Sequence, residues 1–234
     1  MSNVRNIVFD CNESILDLTT MTPVFERLFG DPVAMRTWFR ELITYSQALT
    51  IANIYVPFTD TGAAVLDKMA AGKRIRINGS DRNELIDRFA TMPPYPEVPA
   101  ALRRLKDAGF HLYTLTDNTA AISNRQLLHG GIYELFEQRF SVDDAAKSHK
   151  PSRQAYEEVT RSLGASASAM CLVACHTWDT IGAQSAGWHA GLIRRPNNDV
   201  LVTAARPQYV GDDLAAIAHQ IVANNSPFRA DLRS

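Results

Sequence analysis

The sequence predicts an α/β protein, a Rossmann-like parallel sheet core with an inserted helical cap subdomain. Three observations carry this. Through the second half of the 234-residue chain, short apolar runs alternate with helical patterns, as parallel strands joined by crossover helices require. The helical patterns stop at Gly109, Gly130, Gly164 and Gly187, the residue type that helix C-termini favour. Between about residues 18 and 93 the alternation lapses, and only helical patterns are found.

In chain order, the first strand covers 7–9 and ends in Asp10, followed by the polar turn Cys11-Asn12-Glu13-Ser14. Helices are predicted at 23–29, 32–51, 58–71 and 81–90, the last capped by Ser80 or Asp81. Met92-Pro93-Pro94-Tyr95-Pro96-Glu97-Val98-Pro99 is a stiff return segment that helices seldom cross. Later strands are predicted at 111–116, 170–174, 190–193 and 209–210, with helices at 98–108, 120–129, 152–163 and 180–186. The expected organisation is a core of residues 1–17 and 94–225, a cap of 18–93 and a C-terminal tail of 226–234. A ligand site is expected between cap and core.

Composition narrows the function classes. The chain is 46% hydrophobic and 21% charged with net charge −1, as in ordinary globular domains. No long basic run is present, which argues against nucleic acid or an anionic membrane surface as partner. No apolar stretch approaches the roughly 18–20 residues of a membrane span. The first strand follows Met1-Ser2-Asn3-Val4-Arg5 at once, so no signal peptide is expected. Cys11, Cys171 and Cys175 form no CxxC pair and no disulfide framework, which fits a reducing cytoplasm. Cys171 and Cys175 read as packing residues.

Four polar segments end or follow core strands: Asp10-Cys11-Asn12-Glu13-Ser14, Thr116-Asp117-Asn118-Thr119, Lys150-Pro151 and His176-Thr177-Trp178-Asp179. Strand ends are where open α/β sheets hold ligands. With a reference pKa of about 3.9, Asp10 is ionised at neutral pH, and a carboxylate becomes an effective nucleophile when desolvated and held in line with its target. The plain alternative is an aspartate that caps the next turn. Asn12 cannot act as a general acid. Lys150 would hold Asp10 ionised and aimed, so Lys150→Ala is expected to abolish turnover with little loss of fold. Ser14 and Thr116 offer hydroxyls, and the N–H groups after Thr116 lead into a helix N-terminus suited to an anion. Asp117 would oppose an anionic substrate unless it turns away to cap the helix near Ala120. Trp178 reads as packing or a pocket wall, and Trp38, Phe39, Tyr45 and Phe58 as candidate apolar walls.

The order of these segments, with a helical cap after the first strand, resembles the haloacid dehalogenase superfamily, and within it the type II 2-haloacid dehalogenases. Its marks are Phe9-Asp10-x-Asn12-Glu13-Ser14-x-Leu16-Asp17, Arg40, Ser141-Val142-Asp143, Lys150-Pro151 with Tyr156, and Val173-Ala174-x-His176-x-Trp178-Asp179-x-x-Gly182-Ala183. The resemblance covers nearly the whole chain. It implies a hydrolase in which Asp10 displaces the leaving group on C2 of a small carboxylic acid, giving an aspartyl ester that water cleaves, with inversion at C2. It further implies that Arg40 faces the departing anion, that Asn12, Ser14, Thr116, Asp117, Asn118, Tyr156 and Trp178 line the substrate, and that Asp179 fixes Lys150 or polarises water. His176, where relatives have asparagine, could orient water, contact the leaving group or act as a base. Phosphatases of the superfamily carry a second aspartate where Asn12 stands and hold magnesium with acidic residues near the fourth segment. Here Ala174, Cys175 and His176 come first and only Asp179 is acidic, a poor hard-cation site, so no metal or cofactor is expected. The leaving group expected is halide. Ring opening of azetidine-2-carboxylate, a magnesium-dependent phosphatase and a catalytically silent binding module stay open as alternatives. The sequence is silent on quaternary structure; because relatives are often dimers, a homodimer is what fold analogy implies.

Overall fold

The structure, a computed structural model, describes residues 4–144 and 146–225; the predicted tail at 226–234 lies outside them. Strands β1 (Asn6–Phe9), β2 (His111–Thr116), β3 (Gln138–Ser141), β4 (Met170–Ala174), β5 (His189–Ile193) and β6 (Tyr209–Gly211) form a six-stranded sheet in the order β3-β2-β1-β4-β5-β6. Every pairing is parallel. This is the doubly wound arrangement in which the order of strand addition reverses between β1 and β4, the switch point that opens a crevice at the C-terminal strand ends. Phe9 registers with Val173, and the Asp10 N–H donates to the Val173 carbonyl at 3.1 Å. The ends of β1 and β4 are therefore fixed side by side.

The buried side chains of the strands alternate between two layers. Ile7, Phe9, Leu112, Cys171 and Val173 join one apolar cluster with Leu102 and Leu105 of α5 (Val98–Asp107) and Ile217 and Ile221 of the helix at Leu214–Asn225. Val8, Tyr113, Leu115, Leu172 and Ala174 join the other, with Tyr156 and Val159. Central strands buried on both faces explain the near-continuous apolar runs of the sequence.

Between β1 and β2 stand α1 (Thr22–Phe29), α2 (Ala34–Ile51), α3 (Phe58–Lys73) and α4 (Gly79–Ala90), then α5. The first four form the predicted helical cap. Its interior is aromatic: Phe25 and Phe89 pack on Trp38 at centroid distances of 5.2 and 6.2 Å, and Trp38 Nε1 donates to the Gly62 carbonyl. The two chain crossings between cap and core are bound together, Asp17 N–H to Pro93 O at 2.8 Å and Tyr95 N–H to Ile15 O at 3.1 Å. The cap of α4 is Asn78 rather than Ser80 or Asp81. Asn78 accepts from the Asp81 N–H while the Asp81 carboxylate accepts from the Asn78 N–H, a reciprocal capping box.

In the second half, α6 (Ala120–His129), α7 (Arg153–Leu163) and α8 (Thr177–Ser185) alternate with the strands, and α9 (Leu214–Asn225) closes the described chain. β3 was not predicted. It is a four-residue edge strand with a single fully buried residue, and so lacks the apolar run that marks a strand. The helix predicted at 180–186 starts three residues earlier, directly after His176. No helix among the described residues is long and apolar enough to cross a membrane.

Candidate active site

Asp10 stands at the end of β1 with 5% of its surface exposed. Lys150 Nζ donates to Asp10 Oδ1 at 2.8 Å, to Asp179 Oδ2 at 2.7 Å and to the Leu115 carbonyl at 3.2 Å. Ser14 Oγ donates to Asp10 Oδ2 at 2.5 Å and accepts from the Cys175 N–H at 2.9 Å, so the turn after β1 is fixed to the end of β4. Burial would raise the Asp10 carboxyl, but the Lys150 ammonium and His176 outweigh it and hold Asp10 well below the usual carboxylate range. Lys150 is likewise disfavoured by burial and held charged by Asp10 and Asp179. Asp179 is moved upward by burial, against the pull of Lys150. Its Oδ1 accepts from Tyr156 Oη at 2.6 Å, and its place in the first turn of α8 favours its charge.

His176 caps the start of α8. Its Nε2 lies 2.9 Å from Glu13 Oε2 and its Nδ1 lies 3.4 Å from Asp10 Oδ2. Trp178 stacks on the imidazole at 5.0 Å and 17°, and Phe39 of α2 packs on it at 5.8 Å. Thus Asp10, Ser14, Lys150, Tyr156, His176, Trp178 and Asp179 are brought together.

Other expected contacts differ. Arg40 is exposed on α2 and is not brought to Asp10. One turn earlier, Arg36 reaches inward and ion-pairs with Glu13. Asn12 and Asn118 are buried with their amides turned to each other, at 3.2 and 3.1 Å, and to Gln126, which in turn donates to the Phe89 carbonyl. Their amides are engaged by one another rather than aimed at Asp10. Asp117 does not cap α6, whose N-cap is Thr119. Its Oδ1 instead accepts from the Lys150 N–H at 2.9 Å and pairs with His149 Nδ1 at 3.2 Å, so the carboxylate holds the segment that delivers Lys150. Thr116 is buried, and its Oγ1 accepts from the Asn118 N–H. Lys150, fully buried with both its carboxylate partners, is a structural as well as a site residue. These contacts argue against the expectation that Lys150→Ala spares the fold.

Glu13, Arg36, Gln126, His149 and Arg195 carry contacts to which sequence reasoning gave no role. Arg195 Nη2 donates to the Ser14 carbonyl at 3.0 Å and pairs with Glu97 at 2.7 Å, holding the β1 turn from the far side. His149 was legible, since it adjoins Lys150-Pro151. Gln126 gave no signal, being one polar residue in an amphipathic helix.

A cavity of about 480 Å³ opens between the cap and α6, lined by Phe25, Trp38, Leu42, Phe58 and Phe89, with Thr119 at its border. Trp38 and Phe58 line this cavity, whose walls include none of Asp10, Lys150, His176 and Asp179, whereas Phe39 packs on His176. Tyr45 is 40% exposed, beneath Lys68. Among the described residues, Glu13, Cys175 and His176 each offer a donor atom within 4.8 Å of one another, a set with the donor types of a transition-metal site. The Glu13 oxygens are engaged by Arg36 and His176, so the trio is tied into an ion-pair network. At Asp10, Oδ1 is held by Lys150 and Oδ2 by Ser14 and His176, and the neighbouring carboxylate of the fourth segment, Asp179, is itself held by Lys150 and Tyr156. That donor set does not fit a hard divalent ion.

A family model described as haloacid dehalogenase-like hydrolase matches residues 59–193, more than half of the chain. The chain is similar to the (S)-2-haloacid dehalogenase of Pseudomonas sp. (strain YL), 24% identical over 220 residues that cover 93% of this chain and 94% of that protein. Among solved structures, L-2-haloacid dehalogenase from Xanthobacter autotrophicus shares the fold with a TM-score of 0.85 at 18% identity, covering 93% of this chain and 98% of that one. The same enzyme with chloropropionic acid covalently bound superposes with a TM-score of 0.85 at 17% identity, with the same coverage. With the doubly wound sheet, the inserted helical cap and the match of the family model, the chain belongs to the haloacid dehalogenase-like hydrolase family.

Proposed function

We propose that this enzyme hydrolyses small 2-substituted carboxylic acids, foremost 2-haloacids, to 2-hydroxyacids. Asp10 is the nucleophile. It attacks C2, expels the leaving group and forms an ester, which water then cleaves at the carboxyl carbon. Lys150, fixed by Asp179 and Tyr156, keeps Asp10 ionised and oriented. Residues 18–93 serve as the cap over this site, and Ser14, Thr116 and Trp178 border the substrate. The observation that carries the reading is a buried carboxylate held ionised at the switch point by a buried lysine, with Asn12 beside it in place of a proton-donating acid. The relatives' names support halide as leaving group, and the covalent adduct named for the Xanthobacter enzyme supports an ester route.

The test is release of halide from chloroacetate and from each 2-chloropropionate enantiomer, with and without EDTA. Halide release equal in both conditions, and lost in Asp10→Asn, is expected. Release abolished by EDTA and restored by magnesium, or unchanged in Asp10→Asn, would overturn the reading.

A further inference from the structure

Glu13 is a buried glutamate, 2% exposed, in a conformation that side chains avoid, φ +66°. Strained backbone of this kind persists where its surroundings enforce it, commonly at active sites. Its carboxylate is clamped between Arg36 and His176 Nε2. The imidazole cannot swing, because Trp178 and Phe39 pack on its ring. The opposite nitrogen, Nδ1, is buried, has no hydrogen-bond partner among the described residues and faces Asp10 Oδ2.

We propose that Glu13 is a positioning residue that fixes His176 by Nε2 and presents Nδ1–H to the reacting centre, so that His176 hands a proton to the leaving group and takes one back from the hydrolytic water. The substrate class is then a 2-substituted acid whose leaving group departs protonated, such as fluoride or an amine. This rests on the nucleophilic role of Asp10 above.

The steps balance. An Asp10 oxygen bonds to C2 as the C2–X bond breaks; X takes the bond's electron pair and the Nδ1 proton and leaves as HX. His176 is then neutral, and the Asp10 charge beside it is gone. Water adds through its oxygen to the ester carbon while Nδ1 accepts one of its protons. The bond from that carbon to the C2 oxygen breaks, and the C2 oxygen takes the other proton. The 2-hydroxyacid leaves, and the Asp10 carboxylate and His176 imidazolium are restored. The groups that face the imidazole are Asp10 from β1, Glu13 from the following turn, Cys175 from the end of β4 and, through Glu13, Arg36 from α2. Burial disfavours the imidazolium, but Cys175 and Asp10 outweigh it and push His176 up to about 10, so the proton is present at neutral pH.

The experiment compares kcat/KM for 2-fluoropropionate and 2-bromopropionate in the wild type, Glu13→Gln and His176→Asn, with pH profiles. A bromide ion leaves unaided, whereas fluoride gains from protonation. Both variants are expected to lose fluoride release by roughly 10²-fold or more and bromide release by a clearly smaller factor. In Glu13→Gln the alkaline limb of fluoride release should move to lower pH, because a negative charge beside the imidazole is removed. Equal losses on both substrates, no loss, or a wild type that releases bromide but no fluoride would overturn the dyad while leaving the nucleophile intact. A wild type that releases neither halide would overturn the proposed function and the dyad with it.

Discussion

Lys150 has 1% of its surface exposed, so its charge must be answered within the protein. Asp10, Asp179 and the Leu115 carbonyl answer it. Lys150→Ala would leave two carboxylates buried without their cation. Breaking a buried ion pair in this way costs about 3–5 kcal/mol, so the variant is expected to show both lost turnover and a clearly lower denaturation midpoint. A variant that keeps wild-type stability would mean that the triad is hydrated in solution. The pH sign follows from the same contacts. The folded Asp10 pKa lies below its unfolded value of about 3.9, so its stabilisation is complete above that value and is lost only as pH falls toward its folded value. Any acid limb in kcat/KM above pH 5 therefore belongs to another group. At this scale Asp10, Lys150 and Asp179 were legible, since each adjoins a strand end. The choice between Arg36 and Arg40 was not: they lie one helical turn apart on α2, and only tertiary packing decides that Arg36 points inward. The amide triangle of Asn12, Asn118 and Gln126 unites residues up to 114 positions apart, which no local pattern encodes.

The elements place these residues because strand ends and helix starts meet within a few residues. α8 begins at once after β4, so His176 caps it and Asp179 occupies its first turn. Tyr156 of α7 reaches Asp179 because Gly182 of α8 leaves room; a Cβ there would lie 2.5 Å from Tyr156 Oη and 2.7 Å from Pro151 Cβ. Gly182→Ala is thus expected to push the tyrosine off Asp179, with overpacking of about 1–3 kcal/mol and a fall in kcat. If stability and kcat are both unchanged, the α7–α8 contact is looser than described. Strands and helices were mostly legible, for buried parallel strands read as apolar runs and helices ended at glycine. β3 was not, because an edge strand of four residues, of which Ser141 alone is buried, carries no apolar period. α4 starts two residues before the predicted position because Asn78, Ser80 and Asp81 are all good caps, and only the reciprocal bonds of Asn78 and Asp81 choose among them.

At the scale of the whole molecule, the order in which strands are added reverses between the parallel neighbours β1 and β4, and the cap is threaded through the two crossings at Asp17–Pro93 and Ile15–Tyr95. The cap therefore returns to the core beside the loop that carries Asp10. His149 strengthens the junction: its Nε2 lies 2.9 Å from the Val56 carbonyl of the α2–α3 connection, and its Nδ1 faces Asp117 of the core. The doubly wound architecture and the inserted cap were legible from the alternation of runs and its lapse after β1. The network between cap and core was not, because it joins segments that only the folded sheet makes neighbours.

The central claim is that Asp10 itself becomes esterified. Its most direct test is a single turnover of 2-chloropropionate by excess enzyme in heavy-oxygen water, followed by mass analysis of the peptide that contains Asp10 and of the product. The account predicts label in the Asp10 carboxylate and none in the first-turnover hydroxyacid, since the hydroxyl oxygen comes from Asp10 and the water oxygen stays on the enzyme. Label in the first-turnover product with none in Asp10 would show that water attacks C2 directly, and would contradict it.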